Sequence, residues 1–257
     1  MTVDKDRMVI DRSVAERLVQ YAREYENETF IVGDPSWFMH QVSGRENQEA
    51  IAFIASALSY GSRKQFMPKI DNILRWSDGN VDEWVRSGRF EEHLSADDSS
   101  CYYRLYTVST MHGFLSIYHD LLREHGSLGE YVRQRATDGL GAVAAICSYF
   151  GSRGAKVVIP KDTQSACKRV CMFLRWMVRS GSPVDLGLWA EFIDRRTLIM
   201  PLDTHVVSEA VSLGLLQSRS TSMATALRLT QRLAQVFPDD PLKGDFALFG
   251  YGVNSGS

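Results

Sequence analysis

At 257 residues the chain is long enough to bury a sizeable core, as one large domain or two small ones. A hydrophobic fraction of 44% and a charged fraction of 23% are those of a soluble globular protein and exclude a disordered or fibrous one. A net charge of −2 and a pI of about 6.3 exclude a cationic nucleic-acid binder, so any basic surface must be local.

There is no positively charged leader with an apolar core, and no apolar run near the ~18 residues of a membrane span. The expectation is a soluble, cytoplasmic protein without membrane contact. Cys101, Cys147, Cys167 and Cys171 have neither metal-finger spacing nor secreted-scaffold density. Cys167 and Cys171, at i, i+4 on an expected helix, read as a reduced, partly buried pair; a metal or redox role is the alternative.

Ser13 and Glu16 form a capping-box pattern. Val14, Leu18, Tyr21, Ala22 and Tyr25 follow at helical spacing and predict a first helix to about Glu26. Phe30 to Phe38, with Gly33, Asp34 and Pro35, reads as a loop. Gln48 to Ser59 is apolar nearly all round, the mark of a helix central to its domain, and Gly61 breaks it. Phe66, Ile70, Ile73 and Leu74 mark the next helix. Asp78 to Asp98 is acidic and predicts a short helix around Trp84, then a surface loop, the whole an insertion.

Phe114, Leu115, Tyr118, Leu121 and Leu122 give a helix over Met111 to Arg123, and Ser127 with Glu130 caps a short one. Ala142 to Phe150 is a further helix. Val157-Val158-Ile159, ended by Pro160, is too little for a sheet. Asp162 or Thr163 caps the next helix, whose buried stripe is Ala166, Val170, Phe173, Leu174 and Met177. Leu186 to Phe192 is a short apolar turn or helix. An apolar run closed by Pro201 precedes Asp203, a natural N-cap for the segment behind it. Ala226, Leu229, Leu233 and Val236 make one more helix, and Phe246, Leu248 and Phe249 close the fold. The tail from Asn254 is expected to fray. The class is all-α, with about ten helices.

From Phe150 to Ser180 the basic residues are Arg153, Lys156, Lys161, Lys168, Arg169, Arg175 and Arg179, against Asp162 alone, a local charge of +6. Such a patch suits a phosphate backbone. From charge alone, the better reading is a solvated helix face that balances the acidic insertion. Lys168 lies in the first turns of its helix, off the apolar stripe, where the positive end of the dipole opposes an ammonium charge. An amine so placed is a candidate Schiff-base nucleophile. Asp203 has two compatible readings: a cap worth about 1 kcal/mol, and a fixed carboxylate facing a cationic transition state. His205 could be a general base or a packing residue. No G-x-S-x-G, P-loop, dinucleotide fingerprint or H-E-x-x-H is present.

Pro201-Leu202-Asp203-Thr204-His205-Val206 resembles a segment of the helix-hairpin-helix (HhH-GPD) DNA glycosylase superfamily, which includes endonuclease III and the archaeal-type 8-oxoguanine glycosylases. There the Asp is the catalytic carboxylate. Cys167-Lys168-Arg169-Val170 resembles the second helix of the hairpin motif, with Lys168 where bifunctional members have their nucleophilic Lys. Ile54 to Gly61 resembles the early central helix. Over nearly its full length the chain is also similar to a bacterial family of uncharacterised activity. Its signatures appear here as Phe173 to Arg179, Val184 to Trp189, Pro201 to Val206 and Asp245 to Gly250. Four features depart from the glycosylase pattern. Gly61 stands where endonuclease III has a Gln that enters the duplex. The Lys168–Asp203 separation is longer than in endonuclease III and closer to that of the archaeal-type 8-oxoguanine enzymes. Thr163-Gln164-Ser165-Ala166-Cys167 has no glycine where that hairpin is glycine-rich, and the four-Cys cluster of endonuclease III is absent.

The resemblance implies two helical subdomains with a cleft between them: residues 45–190 as a central barrel-like unit, and 1–44 plus 191–257 as the second. It implies a DNA glycosylase with β-lyase activity on an oxidised base, acting through Lys168 and Asp203. Lys161, Gln164, Arg169, Arg175 and His205 would contact nucleic acid. The partner would be double-stranded DNA carrying a damaged base and the chain a monomer, with no metal and no cofactor required. The alternatives are a nucleic-acid-binding protein without catalysis on the same scaffold, and a helical interaction scaffold.

Overall fold

A computed structural model describes residues 9–255. Among these, eleven α-helices and several short 3-10 turns carry the fold, joined by one two-stranded hairpin. No helix among the described residues is long and apolar enough to cross a membrane.

The centre is α2 (Arg45–Leu58), in which every residue from Glu49 to Leu58 is buried. A helix apolar all round can be stable only where other elements cover every face. Here α3 (Arg63–Trp76), α4 (Val81–Arg86) and α8 (Lys168–Val178) pack against it. Phe53 lies with its ring centroid 5.0–5.6 Å from those of Phe114, Tyr118, Phe150 and Phe173. Those partners come from α5 (Val108–His125), α7 (Gly139–Ser152) and α8, so one side chain joins four helices.

Glu49 is a buried acid on α2. Its carboxylate accepts from the amides of Leu128 and Gly129 at 2.9 and 3.1 Å and from Trp189 Nε1 at 2.8 Å. It thereby caps α6 (Leu128–Arg133) from outside, satisfying amides the helix leaves open. Burial pushes the Glu49 carboxyl up, against the pull of Trp189 and the two amides. Glu49→Gln turns one acceptor into a donor that faces N–H groups. It is expected to lower stability by about 1–3 kcal/mol, read from urea unfolding. A midpoint unchanged from wild type would show that the three donors find other partners.

The remaining helices close the opposite side. Helix α1 (Arg12–Tyr25) lies along α11 (Lys243–Ser255), and α9 (Thr204–Ser212) packs on α11 as well. Gly250 permits the first contact, because a Cβ there would stand 2.3 Å from the Tyr25 ring. Helix α10 (Met223–Leu233) buries Ala226, Leu229 and Leu233. One continuous hydrophobic cluster runs from Leu18 through α2 and α8 to Leu248.

Several expectations are corrected. Asp11, not Ser13, caps α1, accepting from the Ser13 amide at 2.8 Å. Phe30 to Phe38 is folded into 3-10 turns over Glu28–Ile31 and Pro35–His40. The acidic stretch is not a surface loop: Val81, Trp84, Val85, Phe90 and Leu94 are buried in the core. Its acids simply face outward from that anchor.

The hairpin of β1 (Cys101–Tyr103) and β2 (Tyr106–Thr107) is new. Tyr106 donates to the Ala57 carbonyl at 3.3 Å and Tyr103 to that of Tyr60, capping the C-terminal end of α2. Cys167 itself stands at the N-cap of α8 with φ +46°, so neither Asp162 nor Thr163 caps that helix. Asn254, expected to fray, lies in α11 and donates to Tyr25 Oη at 2.8 Å. The last two residues of that tail lie outside the described ones.

Candidate active site

Three helices turn one face each to a common cleft of about 380 Å³. From α8 come Lys168, Met172 and Arg175, at i, i+4 and i+7, the face beside the apolar stripe. Asp203, Val206 and Glu209 follow at intervals of three from the N-cap of α9. Helix α11 adds Asp245, Leu248, Phe249 and Gly252, and Phe30, Asp34 and Arg63 complete the wall. The volume falls in the roughly 300–1,000 Å³ of ligand pockets.

Lys168 and Asp203, thirty-five positions apart in the chain, meet here. Lys168 Nζ is 2.8 Å from Asp203 Oδ2, and the two side chains are 37% and 30% exposed. The other oxygen, Oδ1, accepts from the Val206 amide at 2.9 Å. One carboxylate therefore caps α9 and faces the amine at once, each oxygen with its own task. Burial pushes the Asp203 carboxyl up, but Lys168, the Val206 amide and His205 outweigh it and hold the group below its ordinary value of 3.8.

That direction fixes a pH dependence. A depressed carboxyl stabilises the fold fully above its unfolded value near 3.8, and the contribution is lost as pH falls through the lower folded value. The pair is about one-third exposed, so screening limits its worth to about 1 kcal/mol or less. Asp203→Asn keeps a capping oxygen and removes the charge. The stability gap between wild type and Asp203→Asn, followed by denaturant melts from pH 7 to pH 3, is expected to hold level and then shrink below about pH 4. A gap that widens on acidification would reverse the sign.

Asp34 accepts from the Ser36 amide at 3.0 Å and pairs with Arg63 at 3.3 Å. Asp245, on the cleft floor, is bound by Arg175, and burial pushes its carboxyl up against that cation's pull. Behind it lies a buried ionic chain. Arg175 also pairs with Asp185 at 3.2 Å, and Arg179 binds Asp185, Glu26 at 2.7 Å and Asp240 at 2.8 Å. A larger, more open depression of about 570 Å³ holds Asp194, Arg195 and Arg196, but Arg196 and Asp194 already pair with each other.

The basic run divides accordingly. Arg175 is buried on two carboxylates, which corrects its expected role as a nucleic-acid contact. Arg169 donates to the Ala57 carbonyl at 2.7 Å and to Tyr106 Oη, tying α8 to the hairpin. Arg153 stacks 3.7 Å from the Tyr149 ring centroid, and Arg179 belongs to the core. Lys161 and Gln164 lie on the turn before α8, and His205 is exposed on the cleft wall. Three of the seven, Arg169, Arg175 and Arg179, are thus internal wiring, and the run's ion-pair partners are Glu26, Glu124, Asp162, Asp185, Asp203, Asp240 and Asp245 rather than the acidic stretch before the hairpin.

Sequence reasoning missed Phe30, Arg63 and Glu209. Asp34 carried a signal, since Asp-Pro-Ser is an N-cap with proline at the first helical position.

Fold and cleft together define an all-helical protein with a paired lysine and carboxylate in a ligand-sized site. The chain belongs to the family described as a protein of unknown function, DUF2400, whose model matches residues 34–254. That match takes in every cleft residue except Phe30. No curated protein and no solved structure matches the chain.

Proposed function

We propose that the protein is a DNA glycosylase with β-lyase activity on an oxidised base, with Lys168 as nucleophile and Asp203 as its carboxylate. The observation that carries this is the 2.8 Å approach of Lys168 Nζ to Asp203 Oδ2 in a cleft of ligand size. The resemblance of the segment around Asp203 to the helix-hairpin-helix glycosylases supplies the reaction class, and a two-subdomain, cytoplasmic, monomeric protein acting on duplex DNA is part of the same reading.

In this reading the damaged nucleotide turns out of the duplex, at a cost of a few kcal/mol in unstacking, into the cleft. Asp203 first accepts the ammonium proton of Lys168. The amine then bonds to C1′ as the glycosidic bond breaks, and the bond electrons leave with the base, which takes the proton from Asp203 and returns that group to a carboxylate. Charge on the sugar develops beside the fixed carboxylate, where a preorganised anion is most effective. Opening of the sugar ring gives the Schiff base, and loss of a C2′ proton expels the 3′ phosphate.

The test is borohydride trapping. The full chain is incubated with duplex containing an oxidised purine, and separately with an abasic site. A covalent protein–DNA adduct is the expected result. Salt-dependent binding without any adduct would overturn the lyase and favour the binding module, a reading to which the glycine-free turn before α8 lends weight. No binding at low salt would remove both.

A further inference from the structure

Three of the four cysteines lie together beneath the first turn of α8. Cys147, on α7, approaches Cys167 with 3.8 Å between the sulfurs, and Cys171 is buried one turn further along α8. Spacing alone pairs Cys167 with Cys171; packing pairs it with Cys147 instead. Cys167 is also one of three non-glycine residues with positive φ among those described. Asp is at home in that region, whereas a cysteine there costs about 1–2 kcal/mol. The conformation turns the thiol inward, among the carbonyls of Asp162 and Ser165 at 3.3 and 3.4 Å.

We propose that Cys147 and Cys167 are a redox-active dithiol that closes to an intramolecular disulfide under peroxide. The sulfurs need approach by only roughly 1.8 Å to reach bonding distance. The two thiols are not equivalent. The Cys147 S–H donates to the Cys167 sulfur and pulls the Cys167 thiol down, while the same bond and burial push Cys147 up. Cys167 is also the less buried, at 4% exposure against zero. Cys167 is therefore the attacking sulfur and Cys147 the resolving one.

The chemistry balances in two steps. The Cys167 thiolate attacks one oxygen of hydrogen peroxide, the O–O bond breaks, and a sulfenic acid and hydroxide result. The Cys147 thiol then displaces that hydroxyl as water, forming the S–S bond. Overall two thiols lose two electrons and two protons, and one peroxide becomes two waters. A dithiol reductant reverses the bond by exchange. The bond sits one residue from Lys168, yet the inference holds whether or not Lys168 is a lyase nucleophile.

The test uses the full chain carrying Cys101→Ser, which removes the exposed thiol. After stoichiometric hydrogen peroxide, intact mass should fall by about 2 Da, with only Cys171 open to alkylation under denaturing conditions. Peptide mapping should join Cys147 to Cys167, and dithiothreitol should restore all three thiols. Cys147→Ser in the same background should stop at a dimedone-reactive sulfenic acid on Cys167. Retention of three alkylatable thiols, a Cys167–Cys171 linkage, or peroxide labelling that ignores Cys167 would overturn the proposal. Because mass and thiol count are read, failure of the glycosylase assay leaves this outcome untouched.

Discussion

Lys168→Gln is expected to abolish borohydride-trappable adduct, lowering the rate of strand cleavage at an abasic site on the order of 10³-fold or more. Gln keeps much of the length of the side chain and a hydrogen-bonding end directed at Asp203, so the cleft should hold its shape. It has no amine, so no Schiff base can form. Asp203→Asn separates the two roles of its partner. Asn still accepts from the Val206 amide and caps α9, but it neither takes a proton nor faces a cationic sugar as an anion. Its rate is expected to fall about 10²–10³-fold, the usual loss when one preorganised electrostatic group is removed. Duplex binding should change little in either variant. An adduct that survives Lys168→Gln would remove the assignment of that lysine, and equal losses of binding and rate would point to a structural defect.

Arg179→Met is expected to cost about 3–5 kcal/mol of stability. Arg179 is 1% exposed and serves Glu26, Asp185 and Asp240 at once. Substitution leaves Asp240 buried and Glu26 half-buried without that cation, and the desolvation of those carboxylates is then uncompensated. For a chain of this size the loss corresponds to a drop in melting temperature of roughly 6–20 °C. Arg12→Ala is the matched control, since it breaks an ion pair between side chains that are 92% and 65% exposed. That change should fall within about 0.5 kcal/mol. A melting temperature for Arg179→Met close to that of wild type would mean that the three carboxylates find another way to be neutralised. The same network holds Asp245 against Arg175 on the cleft floor, so the ions that anchor α8 to α11 also shape the site.

Elements with their own periodicity are legible in the residues themselves. The helices built on Phe114 to Leu122, on Val170 to Met177 and on Ala226 to Leu233 appear where their apolar spacing places them. Asp203 caps α9 because a short side-chain carboxylate meets the amide three residues on, a local relation that spacing reveals. The hairpin at Cys101 to Thr107 has no such signal, because its two short strands show no alternation; it exists through Tyr103 and Tyr106 bonding to carbonyls at the end of α2. The acidic stretch reads as an insertion because charges dominate its composition, while its five buried apolar side chains decide its position.

Among charges the divide is sharper. Residue order and spacing suffice for an all-α chain, a central buried helix, a capping Asp203 and a lysine off the apolar stripe of its own helix. Which cations pair internally and which face the cleft is settled only by packing. Arg169, Arg175 and Arg179 read as one basic patch with Lys168, yet the first binds carbonyl and phenol oxygens and the other two are core ions. A helix pattern reports the face on which a residue lies, but the sign and distance of its partner depend on chain segments tens of residues away. Lys168 beside Asp203 and Cys167 beside Cys147 are both facts of that second kind.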